Sequence, residues 1–122
     1  MAHARTTIIR IGLVPVVAEV ADTPQLIERG LGDRLTLDDS TGMLFDFASE
    51  DRWGLWMKDM RFAVDMMWID AGGVAVTILK RVAPESFPQI FYPARPARYA
   101  FETNAGFFET HAIAEGVSIV IR

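Results

Sequence analysis

Five charged residues and one tryptophan stand where chemistry is most readily built: Arg34, Trp56, Lys58, Asp59, Asp65 and Glu102. The run LWMKDMRF, residues 55–62, sets Lys58 and Asp59 inside one of the most apolar and aromatic stretches of the chain. Ionised groups in such surroundings need partners. The Lys58 ammonium can lie against the Trp56 indole, a contact worth roughly 0.5–2 kcal/mol, and it still calls for a carboxylate. Asp65 is the first choice of partner, because the sequence returns to strand there after a short connection; Glu102 and Asp46 are the others. Two readings of this constellation stand. In one, Lys58 and Asp65 form a structural ion pair, and removing one partner costs about 3–5 kcal/mol. In the other, Lys58, Arg34 and Trp56 floor a pocket for a small anionic or carbonyl-bearing ligand. Arg29 and Arg34 flank glycines after a helix, where cations answer the helix dipole or grip a ligand carboxylate.

Other chemistries find less support. The chain has no cysteine, which removes disulfides, thiolate nucleophiles and thiolate metal sites. Ser40, Ser49, Ser86 and Ser118 lack a Gly-x-Ser-x-Gly setting, and the two histidines, His3 and His111, are unpaired in sequence. Asp38-Asp39 lacks the calcium-loop pattern, and Met66-Met67-Trp68 reads as core filler before it reads as soft-metal ligation. No metal and no cofactor are expected. Gly30-Leu31-Gly32 follows a helix and lacks the Lys-Ser/Thr of a phosphate loop. Twelve basic residues are scattered among sixteen acidic ones, for a net charge of −4, so a basic face for nucleic acid is not expected. No apolar run reaches the length of a membrane span.

The elements that must position these residues are short. A chain of 122 residues that is 51% hydrophobic reads as a single globular domain over 7–122 after a flexible N-terminus at 1–6. TIIRI (7–11) and VPVVAEV (14–20) are β-branched strands. Thr23-Pro24 opens a one- to two-turn helix that ends at the glycines. GMLFDF (42–47), RWGLWMKDM (52–60) and VDMMWID (64–70) read as three further strands. Alternation along 52–60 places Trp56 and Lys58 on one face and Met57 and Asp59 on the other, both apolar enough for a central strand covered on both sides. Asp70-Ala71-Gly72-Gly73 turns a hairpin into VAVTILKRV (74–82). Residues 84–96 hold four prolines and read as a functional surface loop. A strand at 99–103, a helix capped by Asn104 and a final strand at 117–121 close the chain. This order predicts a mainly β fold, an antiparallel β-sandwich or partly open barrel with two short helices, with an α+β sandwich as the alternative.

In this order and spacing, Thr23-Pro24 with Arg29-Gly30-Leu31 and Arg34, Gly42-Met43-Leu44-Phe45, Trp56-Met57-Lys58, Asp65 with Ile69-Asp70 and Gly73, and Glu102 with Asn104-Ala105-Gly106 and Gly116 resemble the DUF192 family. The chain departs from the family pattern at Asp59, where the pattern has asparagine. The resemblance implies a β-rich domain without an established activity, often exported, so a periplasmic or secreted setting is expected, and otherwise a cytoplasmic one. Ala2-His3-Ala4 has the small-x-small form found before signal cleavage. The first functional expectation is a small-ligand or peptide binding module built on Trp56, Lys58, Asp59, Asp65, Arg34 and Glu102. The alternatives are an enzyme using Lys58 with Asp65 or Glu102, or a non-catalytic interaction domain. The sequence leaves oligomeric state open.

Overall fold

The computed structural model describes residues 5–122. The β-branched runs at the start form β1 (Thr6–Ile11) and β2 (Val14–Ala21), an antiparallel pair turned at Gly12, whose φ of 60° lies in the left-handed region. The Val20 amide donates to the Arg5 carbonyl at 2.8 Å, and Thr6 pairs with Glu19. Arg5 and Thr6, expected within a flexible N-terminus, are held to β2 by these contacts. The Ala2-His3-Ala4 triplet lies outside the described residues.

Helix α1 (Pro24–Arg29) begins as its sequence dictates: the Thr23 hydroxyl accepts from the Leu26 amide at 3.2 Å, Pro24 supplies the first-turn φ, and Gly30 ends the helix. It leads into β3 (Thr41–Asp51), which runs parallel to β2. This single β-α-β crossover is the exception in an otherwise antiparallel sheet.

The expected nine-residue strand at 52–60 is not formed. Only β4 (Leu55–Trp56) is strand, and Lys58 and Asp59 lie in a turn. Asp59 has φ 59°, a conformation that asparagine and aspartate tolerate better than other side chains. The departure from the family pattern therefore swaps one left-handed-tolerant residue for another. Buried on both faces instead is β5 (Val64–Ile69), with all six residues enclosed. It forms the expected hairpin with β6 (Ala75–Val82), whose turn is closed by the Val74 amide donating to the Asp70 carboxylate at 2.9 Å.

Within the proline-rich segment, a single 3-10 turn (Pro84–Ser86) precedes β7 (Ile90–Phe91), which pairs with β4 as a separate two-stranded sheet. Then β8 (Ala97–Asn104) runs between β3 and β5. Helix α2 (Phe107–Thr110) is capped at Gly106, not at Asn104, whose side-chain amide donates instead to the Leu37 carbonyl at 2.7 Å. Last, β9 (Ile119–Ile121) pairs with β1.

The main sheet runs β6-β5-β8-β3-β2-β1-β9 and curls into a half-barrel. Strand makes up 47% of the chain and helix 11%, so the fold is mainly β, and the partly open barrel is the member of the expected set that forms. Alternation gives the sheet two buried faces. One carries Ile9, Leu44, Met67 and Phe101, against which Phe108 of α2 packs. The other carries Met43, Phe45, Met66 and Trp68, and is covered by Leu31 after α1 and by Leu55 and Met57 of the strap between β3 and β5.

Candidate functional site

Glu102 lies on β8 with Met43 of β3 on one side and Met66 of β5 on the other. Register partners share a face, so its carboxyl sits in the apolar layer with Phe45 and Trp68. It is 3% exposed and accepts no hydrogen bond from any described residue. Burial pushes its pKa up to about 8, because a low-dielectric site disfavours the charged form. At neutral pH the group is a carboxylic acid, able to donate as well as accept.

This carboxyl borders a cleft of about 160 Å³ between the end of α1 and the strap. Leu31, Phe45, Leu55 and Met60 give it apolar walls, and Glu28, Arg29, Trp56 and Lys58 join them in its lining. Gly30 matters here: a Cβ at that position would meet the Phe45 ring at 3.3 Å, and its φ of 52° favours glycine. The strap is fastened at both ends. The Trp68 indole N–H donates to the Trp53 carbonyl at 2.8 Å, and the Asp33 amide donates to the Asp59 carbonyl at 2.8 Å. Between these ties Leu55 and Met57 point inward while Trp56 points out, with the Lys58 ammonium 5.7 Å from its ring centroid.

The structure thus brings Trp56, Lys58 and Glu102 to one cleft. Asp65 is elsewhere. It pairs with Thr103 on the opposite face of the sheet, so the sheet separates it from Lys58, and Lys58 takes part in no ion pair among the described residues. The Asp65 carboxylate accepts from the Arg81 amide and from the Phe108 amide, each at 2.9 Å. The first of these lies at a β-bulge in β6, where Arg81 has φ 55°; the second is an orphan donor in the first turn of α2. Arg34 is also withdrawn: it grips Glu19 of β2 through two hydrogen bonds, and each partner stabilises the other's charge, lowering the Glu19 pKa and raising that of Arg34. Asp46 is taken by Arg98 at 3.1 Å. Asp59 faces a neighbouring groove that it shares with Arg29 and Lys58.

The missing Lys58–Asp65 pair has a measurable consequence. Lys58→Met changes stability by less than about 0.5 kcal/mol in urea unfolding, as expected of an exposed side chain without a buried partner. A loss of 3 kcal/mol or more would restore the ion-pair reading. Arg29, in the last turn of α1 immediately before Gly30, lines the rim of the cleft, a place that serves both the helix dipole and a ligand.

A larger groove of about 490 Å³ lies near α2, lined among others by Arg81, Asn104 and His111. Its arginine is already paired with Glu109 at 3.2 Å, and none of its lining residues is a buried titratable group. The Glu102 cleft is therefore the better candidate site.

The profile of the DUF192 family, uncharacterised ACR proteins, matches residues 7–121. No curated protein matches the chain. A solved structure from Sinorhizobium meliloti, described as a candidate transcription regulator, superposes with a TM-score of 0.93 at 26% identity, covering 99% of this chain and 97% of that one. A protein of unknown function from Novosphingobium aromaticivorans superposes at 0.87 with 21% identity, over 94% of this chain and 84% of that one.

Proposed function

The chain belongs to the DUF192 family, and on that premise we propose that it is a binding module for a small carbonyl- or carboxylate-bearing ligand held in the Glu102 cleft. One observation carries this reading: a carboxyl that makes no hydrogen bond to any described residue and is enclosed except where it borders a cavity. Its oxygens are not sealed away in the core, so a partner can reach them from the cleft. A protonated Glu102 donates to the ligand oxygen, and Lys58 and Arg29 balance its charge at the rim. The cavity of about 160 Å³ is smaller than drug-sized pockets, so it suits a ligand head of a few heavy atoms.

The test is a chemical-shift titration with acetate and acetamide. Shifts centred on Glu102, Phe45 and Leu55 are expected, and acetate binding weakens as pH rises through about 8, where Glu102 becomes an anion. Glu102→Gln keeps a donor and removes that pH dependence. Shifts scattered over the surface, or a Gln variant with the same pH profile, would refute the reading.

A second reading is favoured by the same pKa near 8, which suits a general acid–base: an enzyme in which Glu102 moves a proton beside Lys58. Binding is the stronger reading because no serine, threonine or histidine lines the cleft. The regulator description of the Sinorhizobium protein extends here only as ligand sensing, a reading supported by the net charge of −4, which works against binding to phosphate backbones. Export to the periplasm or beyond rests on the family resemblance, and fractionation of the native cell tests it.

A further inference from the structure

Beside the Glu102 cleft lies a second, shallower groove of about 260 Å³, lined by Gly54, Leu55, Trp56, Ile90 and Tyr92. Three of these residues, Gly54, Leu55 and Trp56, also line the cleft, so the two spaces share a wall. The groove is apolar and aromatic, whereas the cleft adds charged side chains, Glu28, Arg29, Lys58 and Glu102, to its apolar walls. Around it, Trp56, Ile90 and Tyr92 are 39%, 45% and 52% exposed, and the Phe87 ring rests 5.2 Å from that of Trp56. Large apolar side chains clustered in this way mark interaction sites more often than scattered ones do. The wall itself is β4, which has a strand neighbour, β7, on one side only among the described residues. An extended backbone with one free edge is a template for pairing with another.

We propose that cleft and groove together form a docking surface for the C-terminal end of an extended peptide. Its last apolar side chains fill the groove beside Trp56, Ile90 and Tyr92, and its terminal carboxylate enters the cleft. This rests on the reading of the cleft as a carboxylate site and deepens it. Charge complementarity selects the occupant. Arg29 and Lys58 are cations without ion-pair partners among the described residues, against Glu28 as the one ionised acid in the cleft lining. Within the cleft lining, with Glu102 protonated, the surplus is one positive charge and suits one carboxylate, while Asp33 and Asp59 lie in the adjoining groove. The free edge of β4 favours a peptide over an acyl chain, because only a peptide carries N–H and C=O groups that such an edge can pair with.

The probe is the acetylated tetrapeptide Ac-Ala-Val-Ile-Phe, titrated calorimetrically with a free C-terminus and as its C-terminal amide, beside acetate and decanoate. The free acid is expected to bind at least tenfold tighter than the amide, acetate or decanoate. Lys58→Met removes most of the difference between acid and amide. Tyr92→Ala, at a residue that lines the groove and not the cleft, weakens the peptide at least fivefold and leaves acetate unchanged. Circular dichroism confirms that both variants fold. If acetate binds but the acid and amide are equal, or decanoate matches the peptide, or Tyr92→Ala has no effect, the docking proposal falls while the cleft reading stands. If acetate also fails to bind the cleft, both fall.

Discussion

Replacing Glu102 with glutamine stabilises the protein at pH 8 and leaves its stability near pH 5 almost unchanged. The sign follows from proton linkage. In the unfolded chain the carboxyl titrates at its ordinary value of 4.5, and in the folded protein at about 8. Between those values the folded state keeps a proton that the unfolded state has released, so stability falls as pH rises across the window. Each unit of separation corresponds to about 1.36 kcal/mol, which makes the accumulated loss above pH 8 on the order of 3–5 kcal/mol. Glutamine does not titrate, and it fills nearly the same space between Met43 and Met66. Urea unfolding at pH 5, 7 and 9 is the measurement. Wild type and Glu102→Gln should converge at the acid end and separate progressively toward the alkaline end; parallel profiles would remove Glu102 from the buried, neutral role assigned to it. A chain that retains such a residue gives up stability at a place where a methionine or leucine would pack, and that trade is a common mark of function.

Asp65→Ala is expected to lower stability by about 2–4 kcal/mol at neutral pH, because it orphans one buried and one half-buried backbone donor at once. The Arg81 amide belongs to the bulge of β6, and the Phe108 amide to the first turn of α2; no other side chain caps that helix. Asp65→Asn is the gentler change. Its amide oxygen still accepts from one donor, but its NH₂ group faces the other, so about half the loss is expected. Chemical denaturation measures both variants, and hydrogen exchange localises the effect to residues 107–111. A loss below 1 kcal/mol for the alanine variant would mean that water replaces the carboxylate at both donors. Two buried acids on adjacent strands thus respond in opposite directions: the one that is hydrogen-bonded stabilises the fold, and the one that is not weakens it.

The strands, the first helix and the hairpin at 70–73 were legible because each rests on local chemistry: β-branched runs, the Thr23-Pro24 cap and the Asp-Ala-Gly-Gly turn. Glu102 was legible as a charge inside the strand sequence YAFETN, though nothing local ranked it above Asp65. What separates those two is register: Glu102 shares a face with Met43 and Met66, whereas Asp65 shares one with Thr103, and register is a property of the assembled sheet. The alternation drawn across 52–60 failed at Lys58-Asp59, where the backbone turns. The asparagine of the family pattern at 59 was a backbone signal that charge reasoning passed over. The partner of Arg34 is not legible in the sequence, because Glu19 is fifteen residues away and lies on β2, beside which β3 is brought by the parallel crossover. The sequence pattern contained no sign of that crossover, since a six-residue helix followed by an irregular stretch looks like any other connection.

The strap over the cleft bears on how quickly the site can work. Because it is tied to Trp68 at one end and to Asp33 at the other, with Leu55 and Met57 seated in the core between, the space beneath it exists before any ligand arrives. Such a site has little ordering entropy to surrender on binding, and the exposed side chains in its lining, Arg29, Trp56 and Lys58 among them, exchange rotamers in nanoseconds or less. For the proposed binding role this means association limited by encounter and orientation, with no slow closing step, and differences among ligands that appear mainly in how fast they leave.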